Sequence, residues 1–159
     1  MGLYDERVPV YICPNCKNRS VDLDGFEGFS GSDSLQCKRC GFGFIFQLLE
    51  DYYPAPTTGF VVCDRDARVL ASGRGVFELT GFQESDLMGE DVAVALDFSD
   101  REAIGIVREW GVRKLGLALE VSTRAGIRKP VTVDLFPAYD ADGGLLVALT
   151  PRNVASTLE

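Results

Sequence analysis

Four of the five cysteines fall in two pairs, Cys13-Pro14-Asn15-Cys16 and Cys37-Lys38-Arg39-Cys40, with twenty residues between them. A Cys-x-x-Cys turn brings two thiolates onto one metal ion and leaves backbone amides to donate hydrogen bonds to the sulfurs. Two such turns complete a tetrahedral all-thiolate site, which suits zinc because the ion takes soft sulfur ligands without redox chemistry. The chain contains no histidine. That absence excludes a Ser-His-Asp or Cys-His catalytic arrangement, a His-ligated haem, a His-containing zinc site and the usual near-neutral proton switch. Four thiolates also close the coordination shell and leave no position for a catalytic water. The expectation is one structural zinc per chain, held by Cys13, Cys16, Cys37 and Cys40. Iron in the same donor set and a pair of disulfides are the alternatives.

The flanks must hold these turns. Val8-Pro9-Val10-Tyr11-Ile12 reads as a short strand entering the first turn, and Phe42-Gly43-Phe44-Ile45-Phe46 as a strand leaving the second, with Gly41 at a positive-φ position between. The insert from Asp22 to Asp33 reads as a Gly/Ser/Asp loop too polar to fold unaided. A segment with so little core needs a staple, and a metal supplies one. Residues 1–53 resemble a zinc ribbon throughout; loaded with iron, the same segment would be a rubredoxin-like redox protein. Lys38-Arg39 is the only adjacent basic pair in this segment, whereas the loop carries Asp22, Asp24, Glu27 and Asp33. The balance favours a scaffold or protein-contact role over nucleic-acid binding.

Composition bounds the rest. The chain has 159 residues, 46% of them hydrophobic, and a formal charge of −8. Residues 1–53 carry 5 Lys and Arg against 8 Asp and Glu, and residues 54–159 carry 11 against 16. Proteins that track a phosphate backbone draw affinity from clustered Lys and Arg, and no such stripe is visible. No stretch reaches the ~20 apolar residues that span a bilayer, and the first residues do not read as a secretory signal. A cytoplasmic, non-membrane protein is expected. Pro54-Ala55-Pro56-Thr57-Thr58 reads as a stiffened linker, followed by a domain over 59–152 and a tail over 153–159.

Within that domain Phe60-Val61-Val62-Cys63 and Arg68-Val69-Leu70-Ala71-Ser72 read as a hairpin. Short helical turns follow at Val76–Thr80, stopped by Gly81, and at Glu84–Met88, closed by Gly89. Ser99-Asp100-Arg101-Glu102 has the form of a capping box. Behind it Ala103, Ile106, Val107 and Trp110 recur at helical spacing, and Gly111 ends that helix. The alternating Leu115, Leu117, Leu119 and Val121, then Val131, Val133 and Leu135, then Leu145–Leu149, predict a three-stranded meander. The acids Glu84, Asp86, Glu90 and Asp91 read as a solvated edge. The fold class is α+β: a small β-rich ribbon plus a five-stranded antiparallel sheet with helices on one face.

The run Leu79-Thr80-Gly81-Phe82-Gln83-Glu84-Ser85-Asp86-Leu87-Met88-Gly89-Glu90-Asp91-Val92, with this order of elements, resembles a PAS domain over residues 59 to about 152. Gln83 stands where that family often has Ser. The resemblance implies a sensory or protein-interaction module, often dimeric, in which some members hold a small ligand between sheet and helices. Photoactive flavin-binding members carry an Asn-Cys-Arg-Phe helix motif that this chain lacks; Cys63 lies on the first strand, as a small core hydrophobe. The candidate ligand-lining residues are Arg108, Trp110, Thr132 and Asp134. The plainer reading places Trp110 in the core, Arg108 in solvent, and Thr132 and Asp134 on an exposed sheet face. With no acid–base or nucleophile–base constellation, the expected function is non-enzymatic signal transduction through a protein partner or a homodimer. A transcription-linked nucleic-acid binder is the second reading.

Overall fold

The computed structural model describes residues 10–17, 19–20, 26–28, 35–37, 40, 46–48, 54–137 and 144–152. The chain divides into two compact units, Met1–Pro54 and Ala55–Glu159.

In the first unit β1 (Val10–Ile12), β2 (Arg19–Ser20) and β5 (Phe46–Leu48) form an antiparallel sheet in the order β2-β1-β5, with Ile12 opposite Phe46 and Val10 opposite Leu48. Strands β3 (Phe26–Gly28) and β4 (Leu35–Cys37) form a separate antiparallel pair. The insert expected to be loop therefore contains a strand. Glu27 and Gly28 are poor strand formers, and the pairing with β4 supplies the backbone partners. Residues 8–9, Gly41, the stretch 42–45 and the tail over 153–159 lie outside the described residues.

The second unit is a five-stranded antiparallel sheet carrying four helices among the described residues. Its strands are β6 (Gly59–Cys63), β7 (Val69–Ser72), β8 (Lys114–Ser122), β9 (Arg128–Pro137) and β10 (Leu145–Pro151), in the order β7-β6-β10-β9-β8. Hairpin and meander join through β6 and β10, where Val61 lies opposite Val147 and Cys63 opposite Leu145. Successive strand residues face opposite sides, and Val61, Val131, Val133, Leu135, Val147 and Leu149 all point into one buried cluster. The helices α1 (Val76–Thr80), α2 (Glu84–Leu87), α3 (Val92–Ala95) and α4 (Glu102–Trp110) close that face with Val76, Leu79, Leu87, Val92, Ala103, Ile104 and Val107. Phe60, Val62, Leu146 and Ala148, which alternate with the inward set, are buried as well, so β6 and β10 read as unbroken apolar runs.

Gly81 (φ 79°) and Gly111 (φ 66°) cap α1 and α4 in the left-handed region, their amides donating to Phe77 and Val107 carbonyls at 2.7 and 2.9 Å. Three local expectations need correction. The Ser99–Glu102 capping box does not form: Asp100 Oδ1 accepts the Glu102 amide, and Ser99 Oγ accepts from Glu120 on β8. The inward stripe of α4 is Ala103, Ile104 and Val107, and Trp110 is 70% exposed. Trp110 is the last helical residue before Gly111 turns the chain. Leu115 is exposed and Leu117 only partly buried, because the β8–β9 register shifts between Lys114 and Leu117. At that bulge Gly116 takes φ 73° and donates its amide to Asp134 Oδ1 at 2.8 Å. The acids Glu84, Asp86 and Glu90 are exposed, as a solvated edge requires, and three of the four acids between Glu84 and Asp91 also hold backbone. Glu84 accepts the Ser72 amide at 2.8 Å, Asp86 the Gln83 amide at 2.9 Å, and Asp91 the Ala93 amide at 2.9 Å, capping α3.

Candidate functional site

Strand β1 delivers Cys13 directly into a tight turn over Pro14, Asn15 and Cys16. Lys17 (φ 63°) closes the turn by donating its amide to the Cys13 carbonyl at 2.8 Å. Ile12 and Cys13 are buried, while Cys16 and Cys40 are partly accessible. The sulfurs of Cys13, Cys16 and Cys40 all lie within 4.8 Å of one another, and those of Cys13 and Cys40 are 3.5 Å apart. Sulfurs at two corners of a zinc tetrahedron stand about 3.8 Å apart for Zn–S bonds of about 2.3 Å. The cluster therefore fits a tetrahedral thiolate-bound ion. A disulfide is shorter by more than 1 Å. Cys37 ends β4, opposite Phe26; its side chain lies outside the described residues.

Burial pushes the Cys13 thiol up, against amide donors from Cys16 and Asn15 that act the other way and with the Cys40 sulfur adding to the rise. A dication reverses that balance by stabilising the thiolate directly. Asn15 Nδ2 donates to Cys40 Sγ at 3.4 Å, a contact that spacing alone does not reveal.

The four candidate residues of the second unit are not gathered. Arg108 Nε donates to the Arg65 carbonyl at 2.6 Å, and its guanidinium lies 3.6 Å from Asp66. Together with Gly105 and Glu109 these residues line a surface depression. Trp110 is exposed beside Val112. Thr132 and Asp134 alternate with the inward Val131, Val133 and Leu135, which places them on the sheet face away from the helices. A second depression runs between α1 and the β8–β9 turn, lined in part by Phe77, Leu79, Ile127 and Lys129. Cys63 is 1% exposed inside the cluster under the helices. Among the described residues no helix is long and apolar enough to cross a membrane.

No protein-family model matches the chain, and no curated protein matches it. Solved structures do match. The PAS domain of nitrogen regulation protein NR(II) from Vibrio parahaemolyticus superposes with a TM-score of 0.53 at 12% identity, over 61% of this chain and 91% of that one. The light-state dimer of the fungal blue-light photoreceptor Vivid gives 0.53 at 13% identity, over 63% and 81%. The PAS domain of a protein from Colwellia psychrerythraea gives 0.50 at 17% identity, over 60% and 86%. At such identities the likeness concerns architecture, and it agrees with the strand order and the one-sided helices described above: the second unit has the PAS fold.

Proposed function

We propose that this chain is a non-enzymatic sensory or regulatory signal-transduction protein in which a structural zinc ribbon is coupled to a PAS module. One zinc per chain is held by Cys13, Cys16, Cys37 and Cys40, and it organises a segment whose own core is small. The PAS module works by protein contact, with a second copy or with a partner, in the cytoplasm.

The observation that carries this reading is the pairing, in one chain, of a PAS-type sheet with three converging thiols. The similar structures include a nitrogen regulation protein and a photoreceptor, so the architecture is one used in regulation. Contact is favoured over ligand sensing because the space between sheet and helices holds Leu87, Leu96, Val107 and Leu135, all 1% exposed or less. A ligand there has to displace them. A net charge of −8 weighs against phosphate tracking by the ribbon.

Native mass spectrometry of the full purified chain tests the reading. A dimer with one zinc per subunit and no retained organic molecule is the expected result. A coloured, iron-loaded protein overturns the zinc assignment. A stoichiometric organic ligand moves the function to sensing of that molecule, and a monomer that also binds nucleic acid at low salt overturns the contact role.

A further inference from the structure

Asn15 lies between the two ligands of the first knuckle and reaches the second. Its backbone amide donates to Cys13, and its side-chain Nδ2 donates to Cys40 Sγ at 3.4 Å, 25 positions further along the chain. One residue thus places N–H donors on sulfurs from both knuckles. The turn does not need this side chain to close, because the Lys17 amide already reaches the Cys13 carbonyl. Pro14, its neighbour, has no amide to offer.

Four thiolates on a dication leave a net charge of −2, and each N–H donor draws electron density from the sulfur it meets. Such outer partners set ligand orientation and metal affinity, and their loss costs about 10- to 100-fold in affinity. We propose that Asn15 is a positioning residue of the metal centre: its amide holds the Cys40 sulfur in register with the first knuckle and lowers that sulfur's electron density. This inference rests on the metal-site reading above.

The test uses the full chain as wild type and as Asn15→Asp, Asn15→Ala and Asn15→Gln, each reconstituted with Co2+ and with Zn2+. Asn15→Asp keeps the shape but exchanges the donor for an anionic acceptor. At saturating Co2+, Asn15→Asp and Asn15→Ala are expected to move the sulfur-to-cobalt charge-transfer band to lower energy. They should also release metal to a competing chelator about 10-fold or more faster. Asn15→Gln retains an amide donor and should recover part of both effects. The band is read on the metal-bound form, so a variant that folds less well without metal still reports. Wild-type band energy and release rate in both Asn15→Asp and Asn15→Ala overturn the positioning role while leaving the metal site standing. A wild-type chain that takes up no stoichiometric metal overturns both.

Discussion

Cys63 shows how burial sets the chemistry of a cysteine. At Cys63 burial pushes the thiol up, and the nearby Asp64 and Asp91 carboxylates add to the rise. The nucleophile is the thiolate, so Cys63 is expected to be inert while the domain is folded. Ellman's reagent at pH 8 should leave it unlabelled in the native, metal-loaded chain and label it once urea is added. Fast native labelling would show that β6 opens readily. The same shift fixes a pH dependence. An unfolded cysteine ionises near pH 8.5, and the folded one ionises higher, so the folded state holds its proton more tightly. The resulting stability is complete below about pH 8.5 and is lost as pH rises from there toward the folded value. The urea midpoint should therefore fall between pH 8 and 10, and fall less in Cys63→Ala. A parallel decline in both proteins would place the alkaline loss elsewhere.

At the scale of elements, what the sequence displayed was local. Gly81 and Gly111 mark helix ends by their own backbone conformation, and the alternation along β9 fixes its inward face within a few residues. Features that depend on distant segments were hidden. The β6–β10 pairing joins strands more than eighty residues apart, β3 needs β4 to be a strand, and the bulge at Gly116 needs Asp134. In the first unit, the spacing of the two knuckles already pointed to Cys13, Cys16 and Cys40, which the structure brings together, whereas the Asn15 contact depends on how the knuckles come together. Gly59 is another such case. A Cβ there would stand 2.6 Å from the Val76 amide nitrogen and 2.8 Å from the Gly75 carbonyl carbon, which are backbone atoms at the start of α1. Backbone cannot swing aside, so Gly59→Ala is expected to destabilise the second unit by about 1–3 kcal/mol. Gly105, inside α4, has nothing within 4 Å of its Cβ position. There Gly105→Ala should stabilise by up to about 1 kcal/mol through helix propensity. Thermal melts of the two variants should shift in opposite directions; an unchanged or raised melting temperature in Gly59→Ala would refute the close packing of α1 on β6.

At the scale of the whole molecule, the metal-site reading gives the two units different sources of stability. The second buries a continuous apolar cluster from every one of its strands and helices. In the first, the described core residues are Ile12 and Cys13, and short chains with small cores need a metal or another crosslink to fold. A structural zinc contributes on the order of 10 kcal/mol to such a segment. Removing the metal should therefore melt the first unit alone. Hydrogen exchange on the full chain reads this directly. With a strong chelator, or in Cys40→Ser, amides of β1 and β5 should lose protection, while those of β6, β9 and β10 keep it. Equal loss in both units would show that their stabilities are coupled. The fourth ligand is tested by the same measurement, since Cys37→Ser should reproduce Cys40→Ser if both sulfurs bind the ion. If Cys37→Ser instead keeps full protection in β1 and β5 with one zinc per chain, the site is completed by a donor other than Cys37, and the closed, purely structural role of the metal falls with it.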